Sequence, residues 1–354
     1  MRQIYRKLNI SLITCTLVLS QTALAKIYSK GNASDVTVTT QPILCLAGGA
    51  SDDLWVDGWK HLLNASGGGD VVIIRPDSGR GTYESWIFDD SGNHGLPKVD
   101  SVTTIPLVKA ADALSPEAAT AVRNAELIFF DGGDQSIYLA MIEGTPLETA
   151  LDYALHVRRV PMGGTSAGMA LLGGIDFTAK YNPSKKSSLV TSELAMKDPT
   201  AQYVDLDRQT LVPPFMEHVI TDTHFSQRNR QGRLVSFMAR AVYNNYGDVN
   251  PFNIKGIGAD EGTAFCYNTN TGLGKVYGTN SVHFAIGNAN IERITAGFSL
   301  NWLWQRQAVK VYSIPASANA SASFDLSTWS GIGGTAEYWY VDGTDEANPV
   351  FGRN

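Results

Sequence analysis

Three short stretches of the chain are continuously apolar, and they indicate strands that are buried on both faces. They are residues 43–47, 71–74 and 127–130. Helical patterns lie between and after them. Ser115-Pro116 and Thr145-Pro146 each place a cap residue before a proline suited to the first helical position. Alternation of such strands and helices predicts an α/β fold with a doubly wound, mostly parallel sheet.

A sharp turn from strand to helix is predicted at Ser166. Residues 164–168 read Gly-Thr-Ser-Ala-Gly, a G-x-S-x-G pattern between a strand-like and a helix-like run. Such a turn lifts the serine Oγ clear of the sheet, and the next N–H can help to form an oxyanion hole. A glycine-rich loop without a catalytic role has the same letters, so the pattern alone leaves both interpretations open.

A second predicted strand end also carries polar groups. Residues 131–135 read Asp-Gly-Gly-Asp-Gln directly after the third apolar run. The two glycines let backbone N–H groups approach a ligand, and the Gln135 amide both donates and accepts. The same letters also form ordinary turns. We favour a site that residues 131–135 share with Ser166. The segment lies one strand–helix unit before Ser166, and ligands bind beyond the carboxyl ends of such strands.

A third segment combines a candidate base with a cluster of cations. Strand alternation over residues 219–224 places Asp222 and His224 on one face. A core-facing helix is predicted to start near Asn229. Three arginines crowd its entry: Arg228, Arg230 and Arg233. Because the helix dipole disfavours cations there and a guanidinium matches a carboxylate, we predict carboxylate binding; a solvated basic turn is the alternative.

A fourth segment, residues 256–265, is a predicted strand that carries Asp260 and Glu261 beside apolar neighbours. Acids in such a setting need a partner, or they take up a proton. The pattern does not decide which of the two orients His224, and an ordinary acidic strand end is the alternative. The remaining histidines are predicted to be structural or on the surface.

In their order along the chain, these segments resemble the cyanophycinase-like serine peptidases, which include aspartyl dipeptidases and isoaspartyl peptidases. The resemblance covers about residues 40–290 and rests on G-G-D-Q, G-G-T-S-A-G-M, D-x-H-F-x-x-R-x-R-x-x-R-L and G-I-G-x-D-E. It implies a flavodoxin-like fold related to class I glutamine amidotransferases. It also implies hydrolysis of cyanophycin, a poly-aspartate with arginine on each β-carboxyl, to β-aspartyl-arginine dipeptides through an acyl-enzyme.

The resemblance implies a role for each matching residue. Ser166 is the nucleophile, His224 the general base and Glu261 the residue that orients the histidine. Backbone N–H groups of Gly133 and Ala167 supply the oxyanion hole. The substrate-binding residues are Gln135, Asp222, Arg228, Arg230 and Arg233. No metal or organic cofactor is implied.

One position departs from the family pattern. Thr223 stands where cyanophycinases have a glutamine between the aspartate and the histidine. The sequence therefore leaves polymer and dipeptide substrates open, with an isoaspartyl or Asp-X dipeptidase as the alternative. An α/β-hydrolase esterase shares G-x-S-x-G, but its triad runs serine, acid, histidine, whereas His224 precedes the acids here. A non-catalytic binding protein would keep the pocket and lose the triad.

The first 25 residues have the pattern of a secretory signal peptide. Three basic residues precede an apolar stretch at 8–19, and Ala23-Leu24-Ala25 is an A-x-A cleavage site. The stretch is too short to span a bilayer. We expect a secreted protein, periplasmic or extracellular, cleaved after Ala25.

The net charge of the chain limits the classes of binding partner that we expect. Without residues 1–25 the formal net charge changes from −6 to −9, because that segment holds three cations and no acids. An acidic protein is a poor partner for nucleic acid or an anionic membrane. The expected partner is a peptide or cyanophycin substrate, and a homodimer is left open.

The extent of the resemblance and the composition together divide the remaining chain into two parts. Residues 26–312 are predicted to form the catalytic domain, and residues 313–354 a C-terminal extension that packs on it with one strand at 337–341. Cys45 and Cys266 each lie in an apolar strand-like run. Two buried free thiols are predicted, with a single disulfide as the alternative.

Overall fold

A computed structural model describes residues 26–181, 190–208, 211–246, 248–316 and 322–354. The expected signal peptide, residues 1–25, lies outside the described residues. Within the described ranges, no helix has the length and apolar character needed to cross a membrane.

Eighteen strands and nine α-helices are found in the described ranges. The strands are β1 (Tyr28–Gly31), β2 (Ile43–Ala47), β3 (Asp70–Arg75), β4 (Ser101–Pro106), β5 (Leu127–Phe130), β6 (Met162–Thr165), β7 (Ile175–Phe177), β8 (Leu206–Arg208), β9 (Val219–Asp222), β10 (Lys255–Ala259), β11 (Thr263–Asn268), β12 (Leu273–Gly278), β13 (Ser281–Gly287), β14 (Val309–Pro315), β15 (Ser323–Asp325), β16 (Ser330–Ile332), β17 (Thr335–Asp342) and β18 (Val350–Arg353). The helices are α1 (Val56–Ala65), α2 (Ser91–His94), α3 (Ala110–Ala113), α4 (Pro116–Asn124), α5 (Gln135–Ile142), α6 (Pro146–Asp152), α7 (Ala167–Ala170), α8 (Ser192–Lys197) and α9 (Gln231–Asn244).

Two of the predicted helix starts are found where the sequence places them. The Ser115 side chain accepts a hydrogen bond from the Ala118 N–H at the start of α4. The Thr145 side chain accepts one from the Glu148 N–H at the start of α6. Each helix has its proline in the first turn, where the missing N–H has no intrahelical partner to lose.

The first sheet has ten strands and is parallel only in its centre. Its order is β1-β4-β3-β5-β6-β2-β11-β12-β15-β16. Strands β4, β3, β5, β6 and β2 run parallel, and they include the three predicted apolar runs. The strands that flank this block pair antiparallel. The α/β class is therefore confirmed, but the sheet is mixed rather than mostly parallel.

The second sheet has eight strands in the order β18-β17-β14-β13-β10-β9-β7-β8. Only β10, β9 and β7 are parallel, and the rest of the sheet pairs antiparallel. Buried and more exposed positions alternate along much of β13 and β14, which is the pattern of antiparallel strands with one covered face. A search for unbroken apolar runs misses such strands.

The core lies in three layers around the two sheets. On one face of the first sheet, Trp59 and Leu62 of α1 pack with Phe129. The other face packs against α4, α6 and the second sheet, where Phe130 and Ile257 share one apolar cluster. Helix α9 covers the far face of the second sheet. The two sheets are thus held together by a common core.

The C-terminal residues are shared between the sheets. The boundary predicted after residue 312 falls inside β14, so it does not separate two structural units. Strands β15 and β16 extend the first sheet, while β17 and β18 extend the second. The strand predicted at 337–341 lies within β17. The extension therefore contributes four strands where the sequence predicts one.

The prediction of two free thiols is wrong. Cys45 on β2 and Cys266 on β11 are directly opposed in the antiparallel pair and form a disulfide. Their Cα atoms lie 4.0 Å apart, the close approach found at pairs without mutual backbone hydrogen bonds. Because the two residues are 221 positions apart, only the strand pairing reveals that they meet.

Candidate active site

Ser166 lies at the turn between β6 and α7. Its backbone has φ 53° and ψ −116°, a strained conformation for a residue with a side chain. The Ser166 N–H donates to the Ala47 carbonyl at 3.0 Å, which anchors the turn to β2. A Cβ on Gly168 would lie 2.1 Å from the Phe130 carbonyl oxygen. Gly168, the second glycine of the G-x-S-x-G pattern, is therefore required because the Phe130 backbone packs closely against it.

Three side chains form a continuous hydrogen-bonded chain at this turn. The Ser166 Oγ lies 2.8 Å from His224 Nε2, and His224 Nδ1 lies 2.7 Å from Glu261 Oε1. With the Nδ1–H directed to the carboxylate, the Nε2 lone pair faces the serine hydroxyl and can accept its proton. This is the geometry of a nucleophile, its base and the group that orients the base.

The three residues come from different parts of the fold. Ser166 follows a strand of the first sheet, and His224 follows β9 of the second sheet. Glu261 lies on the connection from β10 of the second sheet to β11 of the first. The hydrogen-bonded chain therefore crosses from one sheet to the other.

The alternation pattern predicts that His224 lies on a strand, but in the structure it lies in the turn that follows β9. Strand β9 ends at Asp222, and His224 has a left-handed backbone with φ 46°. Its N–H donates to the Gly48 carbonyl at 2.7 Å. The turn still brings Asp222 and His224 to the same pocket, but through a change of backbone direction that alternation cannot describe.

The charge state of His224 is set mainly by burial. Burial lowers its pKa below the usual 6.5, the hydrogen bond that Nδ1 donates to Glu261 opposes the shift, and the nearby Arg228 and Arg230 lower the pKa further. The imidazole is consequently neutral at neutral pH, as a general base must be.

The acid beside His224 is Glu261, and its neighbour serves another purpose. Asp260 accepts from the Ser226 N–H at 2.8 Å and the Ser281 N–H at 3.2 Å, and its carboxylate lies 3.7 Å from His283. It therefore fixes the backbone on which the histidine turn is built. The sequence left these two acids undecided.

Two further residues support the triad and were not singled out from the sequence. Gly49 packs on the His224 ring: a Cβ there would lie 2.4 Å from Cε1 and 2.6 Å from Nε2. The Gln227 side chain accepts from the Glu261 N–H at 2.9 Å. The doubled glycine after β2 was the available signal for the first, whereas nothing in the sequence marks the second.

The candidate oxyanion donors lie beside Ser166. Ala167 is the first residue of α7, so its N–H has no intrahelical acceptor. Gly133 follows β5 in the turn before α5 and lines the same pocket. Among the described residues, neither N–H donates a hydrogen bond within the protein. Both are free to donate to a substrate oxygen.

A pocket of about 500 Å³ opens beside Ser166, and we call it the arginine pocket. It brings together nine of the ten residues predicted for the site, the exception being Glu261 behind the histidine. Its lining is Gly133, Gln135, Ser166, Ala167, Ala170, Phe177, Thr221, Asp222, Thr223, His224, Arg228, Arg230 and Arg233.

Two of the predicted substrate-binding residues are paired with each other. Arg233 donates Nε to Asp222 Oδ2 at 3.0 Å and Nη2 to Oδ1 at 2.5 Å. Its Nη1 donates to the Val190 carbonyl at 3.0 Å. Its guanidinium also lies 5.3 Å from the rings of Phe177 and Phe237. Arg233 thus forms part of the pocket wall.

Arg230 is a buried cation of the pocket that keeps part of its guanidinium unpaired. Its Nη1 donates to the Thr223 carbonyl at 2.8 Å and lies 3.5 Å from Asp222 Oδ1, whereas Nε and Nη2 have no hydrogen-bond partner among the described residues. Burial and the neighbouring Arg233 lower the pKa of Arg230. A carboxylate bound here would relieve that cost.

The remaining predicted residues lie at the pocket edges. Arg228 is half-exposed, with Nη2 3.8 Å from Glu261 Oε1. The Gln135 amide donates to the Phe177 carbonyl at 3.2 Å, which leaves its oxygen free within the described structure. Within the described ranges, no group of three or more His, Cys, Asp or Glu side chains is arranged to hold a metal ion.

Comparison with known proteins finds similar sequences and similar solved structures. No protein-family model matches the chain. Cyanophycinase of Synechococcus elongatus is 29% identical over 223 residues, which cover 61% of this chain and 59% of the relative. Cyanophycinase of Geminocystis herdmanii (strain PCC 6308) is 27% identical over 252 residues, which cover 68% of this chain and 79% of the relative.

The chain thus matches about three-fifths of the length of the first of these relatives. Among solved structures, a peptidase from an acI-B1 Actinobacterium has a TM-score of 0.47 at 19% identity, covering 69% of this chain and 91% of that protein. A putative peptidase E from Listeria monocytogenes EGD-e has a TM-score of 0.37 at 14% identity, covering 64% and 95%. Scores below 0.5 add no weight to the assignment. The sequence matches confirm the resemblance that the motifs predict, and the chain is similar in sequence to the cyanophycinases.

Proposed function

We propose that the protein is a secreted serine exopeptidase that hydrolyses cyanophycin to β-aspartyl-arginine dipeptides. The observation that carries the proposal is the Ser166–His224–Glu261 hydrogen-bonded chain, which opens directly into a pocket with an available guanidinium. The names of the sequence relatives support cyanophycin as the substrate.

The reaction is an acyl transfer in two steps. Release of β-aspartyl-arginine requires cleavage of the main-chain amide between adjacent aspartates, with the bond to arginine left intact. His224 Nε2 takes the Ser166 proton as Oγ attacks the carbonyl carbon, and then gives that proton to the departing amine. Water, deprotonated by the same histidine, cleaves the acyl-enzyme and restores the serine.

Electrostatic stabilisation comes from groups that are already in place. The N–H groups of Gly133 and Ala167 are free to donate to the oxyanion, and such preorganised donors cost no rearrangement during the reaction. Glu261 holds the imidazole and stabilises the imidazolium that forms when His224 takes the proton.

The arginine pocket suits the acidic part of the substrate. Each cyanophycin unit carries a free arginine carboxylate, and the chain end carries another. Arg230 offers unpaired donors for such a group, because a guanidinium binds a carboxylate through parallel hydrogen bonds. Recognition of a terminal carboxylate would account for action from a chain end.

Two observations support secretion. Residues 1–25 have the pattern of a signal peptide. The Cys45–Cys266 disulfide is the kind of bond that persists in oxidising compartments.

The test is to incubate residues 26–354 with cyanophycin and identify released β-aspartyl-arginine by mass spectrometry. Ser166→Ala is the matched control, since alanine fits the same turn. We expect dipeptide release by the wild type and none by the variant. Turnover by Ser166→Ala would exclude the serine mechanism, and absence of dipeptide from the wild type would exclude cyanophycin as substrate.

Thr223 favours one second candidate, an isoaspartyl or Asp-X dipeptidase. Its hydroxyl lies 3.4 Å from Arg230 Nη1, where the family's glutamine would extend further into the pocket. Thr223→Gln should improve cyanophycin cleavage if threonine merely lacks a contact. Loss of activity in that variant, together with efficient wild-type cleavage of isoaspartyl dipeptides, would favour the dipeptidase.

A further inference from the structure

A second pocket lies on the other side of Ser166. Its open volume is about 840 Å³, and Ser166 lines both pockets. Gly133 faces the first pocket, whereas Gly132 lines the second. We call it the acidic pocket; its lining is Gly49, Ala50, Ser51, Asp52, Asp53, Thr82, Tyr83, Trp86, Asp131, Gly132, Thr165 and Ser166. The nucleophile therefore stands between a cationic and an anionic cavity.

Two carboxylates of the acidic pocket, Asp52 and Asp131, are incompletely neutralised. The cation near Asp131 is Arg75, whose Nε lies 3.6 Å from Asp131 but 2.5 Å from Asp77. Asp52 accepts hydrogen bonds from Trp55 and Tyr83. Burial raises the pKa of Asp52 to about 6, and the charge of Asp131 adds to that shift. A cation bound between these two acids would stabilise both charges.

Aromatic side chains line the same cavity. Trp86 donates its indole N–H to Asp53 at 3.1 Å, and its ring packs edge-on against buried Trp59 at 5.3 Å. Tyr83 is held by its hydrogen bond to Asp52. Guanidinium and ammonium groups are attracted to aromatic faces, more strongly when water is excluded. The fixed rings thus favour the same kind of ligand as the acids do.

An unsatisfied hydroxyl in the lining points independently to a ligand. Thr165 directly precedes the nucleophile and lines the acidic pocket. It is 5% exposed, and its Oγ1 has no hydrogen-bond partner among the described residues. Buried hydroxyls are nearly always paired, because an unpaired one costs free energy. A polar group of a bound ligand would supply the missing partner.

We propose that the acidic pocket binds the leaving-group residue of the substrate and selects one with a cationic side chain, a guanidinium or an ammonium. The proposal rests on the proposed function, since it divides that substrate between the two pockets. The acyl part occupies the arginine pocket. The amine that departs when the C–N bond breaks, having taken its proton from His224, lies in the acidic pocket.

Binding of a small ligand that carries the same cationic side chain tests the pocket without turnover. Calorimetry would compare L-argininamide with L-citrullinamide, which replaces the guanidinium by a neutral urea of similar shape. We expect the wild type to bind argininamide about tenfold more tightly, the scale of one charge-assisted interaction. Lysinamide distinguishes a general preference for cations from one for guanidinium.

Matched variants assign the preference to the pocket. Asp131→Asn keeps the oxygen that accepts from the Gly132 N–H and should remove most of the preference. Asp53→Asn, at an exposed position, provides a second test if the first variant folds poorly. Glu117→Gln removes one exposed charge outside both pockets and should change nothing. Equal affinity of the wild type for the two amides, or no binding of argininamide at millimolar concentration, would overturn the proposal.

Cleavage of synthetic oligomers separates this proposal from the proposed function. Two three-unit oligomers would carry either arginine or citrulline on the leaving-group aspartate. We expect kcat/KM to be about tenfold higher for arginine, and the ratio to approach one in Asp131→Asn. Equal cleavage of both oligomers would overturn the pocket assignment alone. Selective argininamide binding without cleavage of either oligomer would overturn the proposed function alone.

Discussion

Asp222 and Arg233 form a bidentate ion pair in which the two side chains are only 3% and 4% exposed. The two hydrogen bonds between them replace hydrogen bonds to water that each group loses on burial. The Val190 carbonyl accepts a further hydrogen bond from Arg233 Nη1. An aspartate and an arginine that looked like separate substrate ligands in the sequence are therefore a structural unit of the pocket wall.

Removal of one partner of this pair should destabilise the protein strongly. Asp222→Ala leaves the Arg233 charge buried without its counter-ion, and we expect the free energy of unfolding to fall by about 3–5 kcal/mol. Urea denaturation followed by circular dichroism measures the change. Arg228→Ala, at a half-exposed cation, is the control and should change stability by less than about 0.5 kcal/mol. Comparable effects of the two substitutions would contradict the role assigned to the pair.

Activity should depend on pH through His224. Burial lowers its pKa, so the imidazole loses its proton below pH 6.5 as the pH rises. We expect kcat/KM to be constant near neutrality and to fall only below the ordinary histidine pKa, as protonation removes the base. The same shift makes the native state less stable in acid, because the unfolded chain takes up the proton first.

A pH–rate profile with chemistry shown to limit turnover measures this dependence. Glu261→Gln should move the acid limb to still lower pH, since the carboxylate favours the protonated imidazole. An acid limb above pH 7, or an unchanged limb in Glu261→Gln, would argue against this account of the base.

Gly49 should be required because it leaves space for the His224 ring, and not only because its backbone conformation favours glycine. In Gly49→Ala the new Cβ would overlap the His224 ring at 2.4 Å, so kcat should fall by about 100-fold or more if the ring is displaced by 1 Å. Gly79→Ala is the matched control. It has nearly the same φ, +99° against +101°, but no atom within 4 Å of the added Cβ. Similar losses of kcat in both variants would show that backbone strain, not the ring contact, is responsible.

Arg230 should contribute to substrate binding through its unpaired donors. Arg230→Ala should lower kcat/KM. The loss of transition-state stabilisation should be roughly 1.5–3 kcal/mol, the usual loss for a charge-assisted hydrogen bond. Arg230→Lys should recover only part of this, because an ammonium lacks the planar fork. Steady-state kinetics on cyanophycin measures both. A full recovery by lysine would show that only the charge is used.

Much of the site was predictable because its parts lie at strand ends with strong local signals. Three of the five parallel strands in the first sheet, β2, β3 and β5, contain unbroken apolar runs, and the turn at Ser166 requires glycines that are visible in the sequence. Strands β9, β10 and β17 of the second sheet overlap predicted strands, but their assembly into a second sheet was not predicted. Strands such as β13 and β14 alternate between buried and more exposed positions, and such a pattern does not specify which strands pair. The acidic pocket was missed because Asp52, Trp86 and Asp131 come from three segments that are far apart in the sequence.

The placement of the triad across two sheets has a mechanical consequence. Catalytic alignment depends on how the sheets sit against each other, and their shared core, with Phe130 on one side and Ile257 on the other, sets that spacing. A substitution that leaves a cavity in this core should therefore slow the reaction, although the cavity lies away from the substrate. We therefore expect the rate of the proposed reaction to report on the spacing between the two sheets.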